Sequence, residues 1–167
     1  MRKIIAAVLI FVLLLSSTGC SLFSGQNQAS VVFYYEQAEY QYGEQSSVII
    51  GEERDITGHV TDLQYLLSLY MMGPLSATLQ SPFPADMQVL DVKVRMDLVR
   101  ITVSEELNTL SDIRHSLALA CLALTGIELS GRNSVVIVCG EEHIVMDRSL
   151  LTLYDNGAQI TQEGENQ

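Results

Sequence analysis

The spacing of hydrophobic positions changes several times along this chain, and each change marks an element. An unbroken apolar run over residues 4–15 follows Arg2-Lys3 and gives way to Ser16-Ser17-Thr18-Gly19-Cys20. The run is well short of the ~20 residues a membrane-spanning helix needs. A basic start, a short apolar stretch and small residues before a cut site are the parts of an export signal, so residues 1–19 read as a leader. Residues 20–30 are polar beyond Leu22-Phe23 and read as a flexible tether. The folded body is expected over 31–154. Residues 155–167, rich in Asn, Gly, Gln and Glu, read as a disordered tail.

Within the body, Val31-Val32-Phe33-Tyr34-Tyr35 is β-branched and aromatic and suits a strand. Ser47-Val48-Ile49-Ile50 is a second strand candidate, with residues 36–45 as the loop between them. Thr61-Asp62-Leu63-Gln64 has the form of a capping box. Leu63, Leu66, Leu67, Tyr70 and Met71 then recur at helical spacing, and Gly73-Pro74 closes that helix. After Ser81-Pro82-Phe83-Pro84, Leu90, Val92 and Val94 alternate with Asp91, Lys93 and Arg95. Val99, Ile101 and Val103 repeat the alternation, which predicts an antiparallel hairpin turning near Met96-Asp97. A second helix is expected from Ser111-Asp112 to a stop at Gly126, with Ile113, Leu117, Ala120, Cys121 and Leu124 on its buried face. Residues 134–139 form a nearly continuous apolar run, as in a strand covered on both faces. A turn at Gly140-Glu141-Glu142 leads into His143-Ile144-Val145-Met146. The fold class is α/β, more closely an α+β sandwich: a mixed sheet with two helices packed on one face.

Charge narrows the function classes. The formal net charge is −11, and two of the cations, Arg2 and Lys3, belong to the leader. Nucleic-acid binding needs a basic footprint to neutralise phosphates, which this composition does not supply. Anionic lipids repel such a body, so attachment to a membrane has to come from acyl chains. With Cys20 set aside, Cys121 and Cys139 remain, each in an apolar pattern. They read as buried thiols, with a disulfide left open because sequence does not fix their separation.

The segment ending at Cys20 resembles the lipobox of bacterial lipoproteins. Leu15 and Thr18-Gly19-Cys20 fit that pattern, and Ser17 stands where leucine is usual. The resemblance implies that Cys20 carries a diacylglyceryl group on sulfur and becomes the mature N-terminus.

The body resembles the GerMN domain, named after a bacterial spore germination and sporulation protein. The matching pieces are residues 31–35, Glu53-Arg54-Asp55-Ile56, Leu66-Leu67 through Gly73-Pro74, Ser81-Pro82-Phe83-Pro84 leading into 89–94, then 99–104, and 117–125 with Ile127. These are core and turn residues, and none marks a chemistry. The resemblance implies an extracytoplasmic, often lipid-anchored module of Gram-positive bacteria, similar in fold to ring-building motifs that pack side by side. The namesake carries two such domains; this chain is expected to carry one.

No residue constellation points to catalysis, a cofactor or a metal. His59, His115 and His143 follow no ligand spacing. Glu141-Glu142-His143 reads as a solvated turn, and Ser111 or Asp112 as a helix cap rather than part of a Ser-His-Asp set. Three readings stay open for Arg54: pairing with a carboxylate to pin the strand-to-loop junction, a solvated charge cluster, or contact with a peptide or glycan. Phe33-Tyr34-Tyr35 with Tyr40 and Tyr42 offers weak grounds for a sugar-binding face, since half of the first group belongs to the core.

The expected protein is therefore a lipid-anchored, non-enzymatic interaction module on the extracytoplasmic face of the cell membrane. It docks an envelope protein partner, in sporulation, germination or cell-envelope assembly, with homo-oligomerisation left open. The alternative is a wall-ligand-binding or wall-modifying lipoprotein. A tethered solute-binding protein is disfavoured, because one small domain offers no second lobe.

Overall fold

The computed structural model describes residues 28–39, 47–57 and 62–151. Among these residues seven strands and two α-helices follow one another: β1 (Gln28–Gln37), β2 (Ile49–Thr57), α1 (Leu63–Met71), β3 (Leu79–Gln80), β4 (Val89–Arg95), β5 (Leu98–Val103), α2 (Asp112–Ser130), β6 (Ser134–Cys139) and β7 (Glu142–Asp147). The fold is α+β. The strands form two sheets, ordered β2-β1-β3 and β4-β5-β6-β7. The second sheet is mixed, with β5 and β6 parallel and its other pairs antiparallel.

The inner face of the four-stranded sheet carries Val99, Ile101, Val103, Val135, Ile137 and Cys139, all buried. These side chains share one core with Leu67 and Tyr70 of α1, Leu119, Leu122, Ala123 and Ile127 of α2, and Phe33 and Tyr35 of β1. Both helices thus lie on the same side of that sheet. By length and composition α2 is apolar enough to cross a membrane. Its central residues 121–127 are instead buried in the core.

Where the pattern and the structure differ, a physical cause is visible. β1 begins at Gln28 because it pairs with β2 as far as Gln28–Thr57, inside the stretch that composition gave to the tether. It runs on through Glu36 and Gln37 because these also pair with β3, so the start of the expected loop is strand. β3 pairs with only those two residues of β1, and among the described residues no strand of the other sheet joins β1. Further along β1 the Tyr34 N–H donates instead to the Thr125 hydroxyl of α2, at 3.0 Å.

At the start of α1 the cap is Asp62, whose carboxylate accepts from the Gln64 and Tyr65 N–H groups. The Gln64 side chain, expected to close a capping box, donates to the Val89 carbonyl at the head of β4. Thr61 lies outside the described residues.

In β4 the register slips between Val89 and Asp91. Leu90 is the extra residue of that bulge and turns outward, so Val89 and Val92 face the core in its place. α2 does not stop at Gly126. It continues to Ser130 and ends where Gly131 takes the left-handed conformation, φ 63°. Gly126 serves packing: a Cβ there meets Ile101 Cδ1 at 2.6 Å, so the missing side chain is what lets α2 approach β5. Ile113, expected on the buried face, is 65% exposed in the first turn of α2.

Candidate functional site

The densest polar construction among the described residues is built around Arg54. In β2, Glu52 and Arg54 are two positions apart and project from one face, opposite Phe33 and Val31 of β1. That face is turned toward the end of α1. Arg54 Nε donates to Glu52 Oε2 at 2.8 Å. Its Nη2 donates to the Tyr35 hydroxyl at 3.1 Å and to the Gly73 carbonyl at 2.5 Å. The guanidinium also lies over the Phe33 ring, 5.0 Å from its centroid.

Each partner is fixed in turn. Glu52 Oε1 accepts from the Leu75 and Ser76 N–H groups at 2.9 and 2.8 Å. The Tyr35 hydroxyl donates to the Tyr70 carbonyl at 2.9 Å, and the Tyr70 hydroxyl to the Tyr34 carbonyl at 2.6 Å. Tyr70 packs at 4.9 Å on Tyr35 and edge-on to Phe83 at 5.3 Å.

The chemistry is that of a helix-end clamp. The last carbonyls of a helix lack intrahelical donors and carry partial negative charge. Here Tyr35 supplies a donor to Tyr70, while Arg54 supplies both a donor and a positive charge at Gly73. Gly73, at φ 91°, reverses the chain there. The Glu52 carboxylate then ties down the first N–H groups after the turn. The Arg54 and Glu52 side chains are only 13% and 11% exposed.

Desolvation pushes the Glu52 carboxyl up. The Ser76 N–H, Arg54 and the Leu75 N–H together outweigh it and hold the carboxyl below its ordinary value. Burial raises the Tyr35 phenol far above its usual range, against the pull of Arg54. Tyr70 is raised too, chiefly by burial, so both hydroxyls stay protonated hydrogen-bond donors. Of the three readings open for Arg54, the structure shows the carboxylate pairing of the first; the junction it pins is not strand-to-loop, because Arg54 lies inside β2, but the turn at Gly73 after α1.

The other residues weighed from sequence do not converge. Cys20, His59, Tyr40 and Tyr42 lie outside the described residues. His115 sits half-buried on α2, with Nε2 lacking a hydrogen-bond partner. His143 is exposed on β7, paired with Val138 on the sheet face turned away from the core. Glu141 and Glu142 are exposed at the turn, as expected. Ser111 stands at the N-cap of α2 but makes no capping hydrogen bond with its side chain. Cys121 and Cys139 are free and buried. Burial pushes both thiols up, Cys121 strongly, so neither is a ready thiolate. Among the described residues no group of three or more His, Cys, Asp and Glu is arranged to hold a metal ion.

Two partners were not singled out from sequence. One is Glu52, which period-2 alternation in β2 places beside Arg54. The other is Glu36, 3% exposed, which meets Arg114 of α2 at 3.5 Å. No local signal marks Glu36, because its burial comes from β3 and α2.

Comparison with known proteins agrees with this architecture. No protein-family model and no curated protein matches the sequence. Among solved structures, the first GerMN domain of the sporulation protein GerM from Bacillus subtilis superposes with a TM-score of 0.52. The match has 13% identity and covers 68% of this chain and 86% of that one. The tandem GerMN domains of the same protein match at a TM-score of 0.48 and 14% identity, over 75% of this chain and 43% of theirs. A candidate lipoprotein from Clostridium perfringens matches at 0.43 and 19%, over 69% and 76%. The described body thus has the GerMN fold that its core and turn residues implied. At these identities the likeness is one of fold.

Proposed function

We propose that this protein is a lipid-anchored, non-enzymatic docking module on the extracytoplasmic face of the cell membrane, serving a sporulation, germination or cell-envelope assembly. The observation that carries the reading is the leader: Arg2-Lys3, an apolar run too short to span, and small residues ending at Cys20. Diacylglyceryl on Cys20, with a further acyl chain where one is added, supplies the two or more chains a stable hold requires. Residues just beyond Cys20 set the reach of the domain. Confinement beside the bilayer raises local concentration, so weak contacts with a neighbouring protein suffice for assembly.

The fold supports the docking half of the reading, being shared with a domain of a sporulation protein. The charged centre of the body supports it as well: Arg54 and Glu52 are spent on holding backbone in place. Cys20→Ala tests the anchor. The native protein is expected to partition into the detergent phase and the variant into the aqueous phase; equal partitioning overturns the anchor. In-membrane crosslinking in growing and sporulating cells tests docking. A defined protein neighbour is expected, whereas glycan strands alone point to a wall-ligand-binding lipoprotein.

A further inference from the structure

We propose that the outer face of the four-stranded sheet, around Lys93, Arg95 and Arg100, is the docking surface and that its occupant is an acidic protein segment. The proposal rests on the docking reading above and names the chemistry of the partner. Strand register brings the three cations together. Lys93 of β4 lies directly opposite Arg100 of β5, and Arg95 lies two residues along the same face. The chain has only nine Lys and Arg against a net charge of −11. A third of its cations are therefore gathered on one hairpin.

Stability does not account for this arrangement. Like charges directly opposite one another across strands are destabilising. Lys93 is partly compensated by Asp91 at 2.6 Å. The side chains of Arg95 and Arg100 make no hydrogen bond or ion pair among the described residues. Charges on an edge strand such as β4 guard against sheet-to-sheet association, which gives Lys93 and Arg95 a structural use. Arg100 is on β5, an interior strand, where that use does not apply.

The same row continues from Lys93 and Arg100 into Val136 of β6 and Val145 of β7, the last 66% exposed. Both helices lie on the opposite face. At the hairpin tip Met96 is 88% exposed. The surface is thus cationic on its β4–β5 half, while on its β6–β7 half an apolar pair, Val136 and Val145, lies between His143 and Asp147.

Charge complementarity selects the occupant. Neighbouring strands lie ~4.8 Å apart, so Val145 is ~14 Å from Lys93 across the sheet; an extended segment crossing the strands places carboxylates over Lys93 and Arg100 and, four residues on from the first and on the same side of the segment, an apolar side chain over Val145. A phosphate polymer has no use for the apolar pair. An anionic bilayer is disfavoured by the exposed Asp97 beside Met96 at the hairpin tip.

The test uses the full chain in zwitterionic detergent and a synthetic peptide of the pattern Glu-Ser-Glu-Ser-Leu-Ser-Leu, which in extended form carries its glutamates and leucines on one face, read by amide NMR. Shifts are expected within residues 91–102 and 134–147, with none from a lysine–leucine counterpart. Lys93→Gln/Arg100→Gln is expected to weaken binding about tenfold without lowering the melting temperature. Val145→Asp is expected to weaken it independently. Shifts on another face, or unchanged binding by the double variant, overturn the assignment while leaving tethered docking standing. Tighter binding to phosphatidylglycerol vesicles than to the peptide overturns it in favour of a lipid surface. Self-association abolished by the double variant overturns it in favour of a second copy of this chain.

Discussion

Two arginines on neighbouring sheets meet opposite fates. Arg54 is nearly buried, stacked on Phe33, paired with Glu52 and bonded to Gly73 at the end of α1. Arg100 is exposed, faces Lys93 across a strand pair, and has no partner among the described residues. A buried charge is tolerable only when paired and hydrogen-bonded, and breaking such a pair leaves an uncompensated ion. An exposed, unpartnered charge holds nothing together and is left available for association. The difference separates a charge this domain uses to fold from one that the proposal above assigns to a partner.

The contrast is sharpest in stability. Arg54→Ala is expected to cost ~3–5 kcal/mol, since it leaves Glu52 and the Gly73 carbonyl without their donor. Chemical denaturation reads this directly, and a loss below ~1 kcal/mol would mean that Arg54 is no clamp. A smaller effect lies in acid. The folded Glu52 carboxyl titrates below the ordinary 4.5. The unfolded chain therefore binds the proton first as pH falls. The stability Glu52 contributes is complete above about pH 4.5 and disappears as pH drops through the folded value. Glu52→Gln is expected to flatten the melting-temperature profile in that acid window; an unchanged slope shows that other carboxylates set it. The smallest effect belongs to Arg100→Gln, expected to leave stability within ~0.5 kcal/mol of native or to raise it slightly as Lys93 is relieved. A large loss there erases the distinction and makes Arg100 structural.

Much of the fold was legible because local periodicity and tertiary placement agree. Leu66, Leu67 and Tyr70 recur at helical spacing and are buried. Phe33 and Tyr35 alternate inward with the strand. The misses arise where a distant element decides. The bulge at Leu90 breaks an alternation that looked regular. Gly126 read as a helix stop, while Ile101, far away in sequence, makes it a packing residue. Glu36 looked like loop until β3 and α2 enclosed it. The clamp was half legible: Arg54 stood out, but its acceptor at Gly73 depends on where α1 ends. The basic face was legible in β4 alone, because only the pairing register sets Arg100 opposite Lys93.

The central proposal is an acyl anchor at Cys20, and mass spectrometry of the N-terminal peptide from membrane-extracted protein tests it most directly. The expected result is a chain beginning at Cys20 with a diacylglyceryl thioether on its sulfur. A free thiol at Cys20, in protein recovered from the culture supernatant, contradicts it.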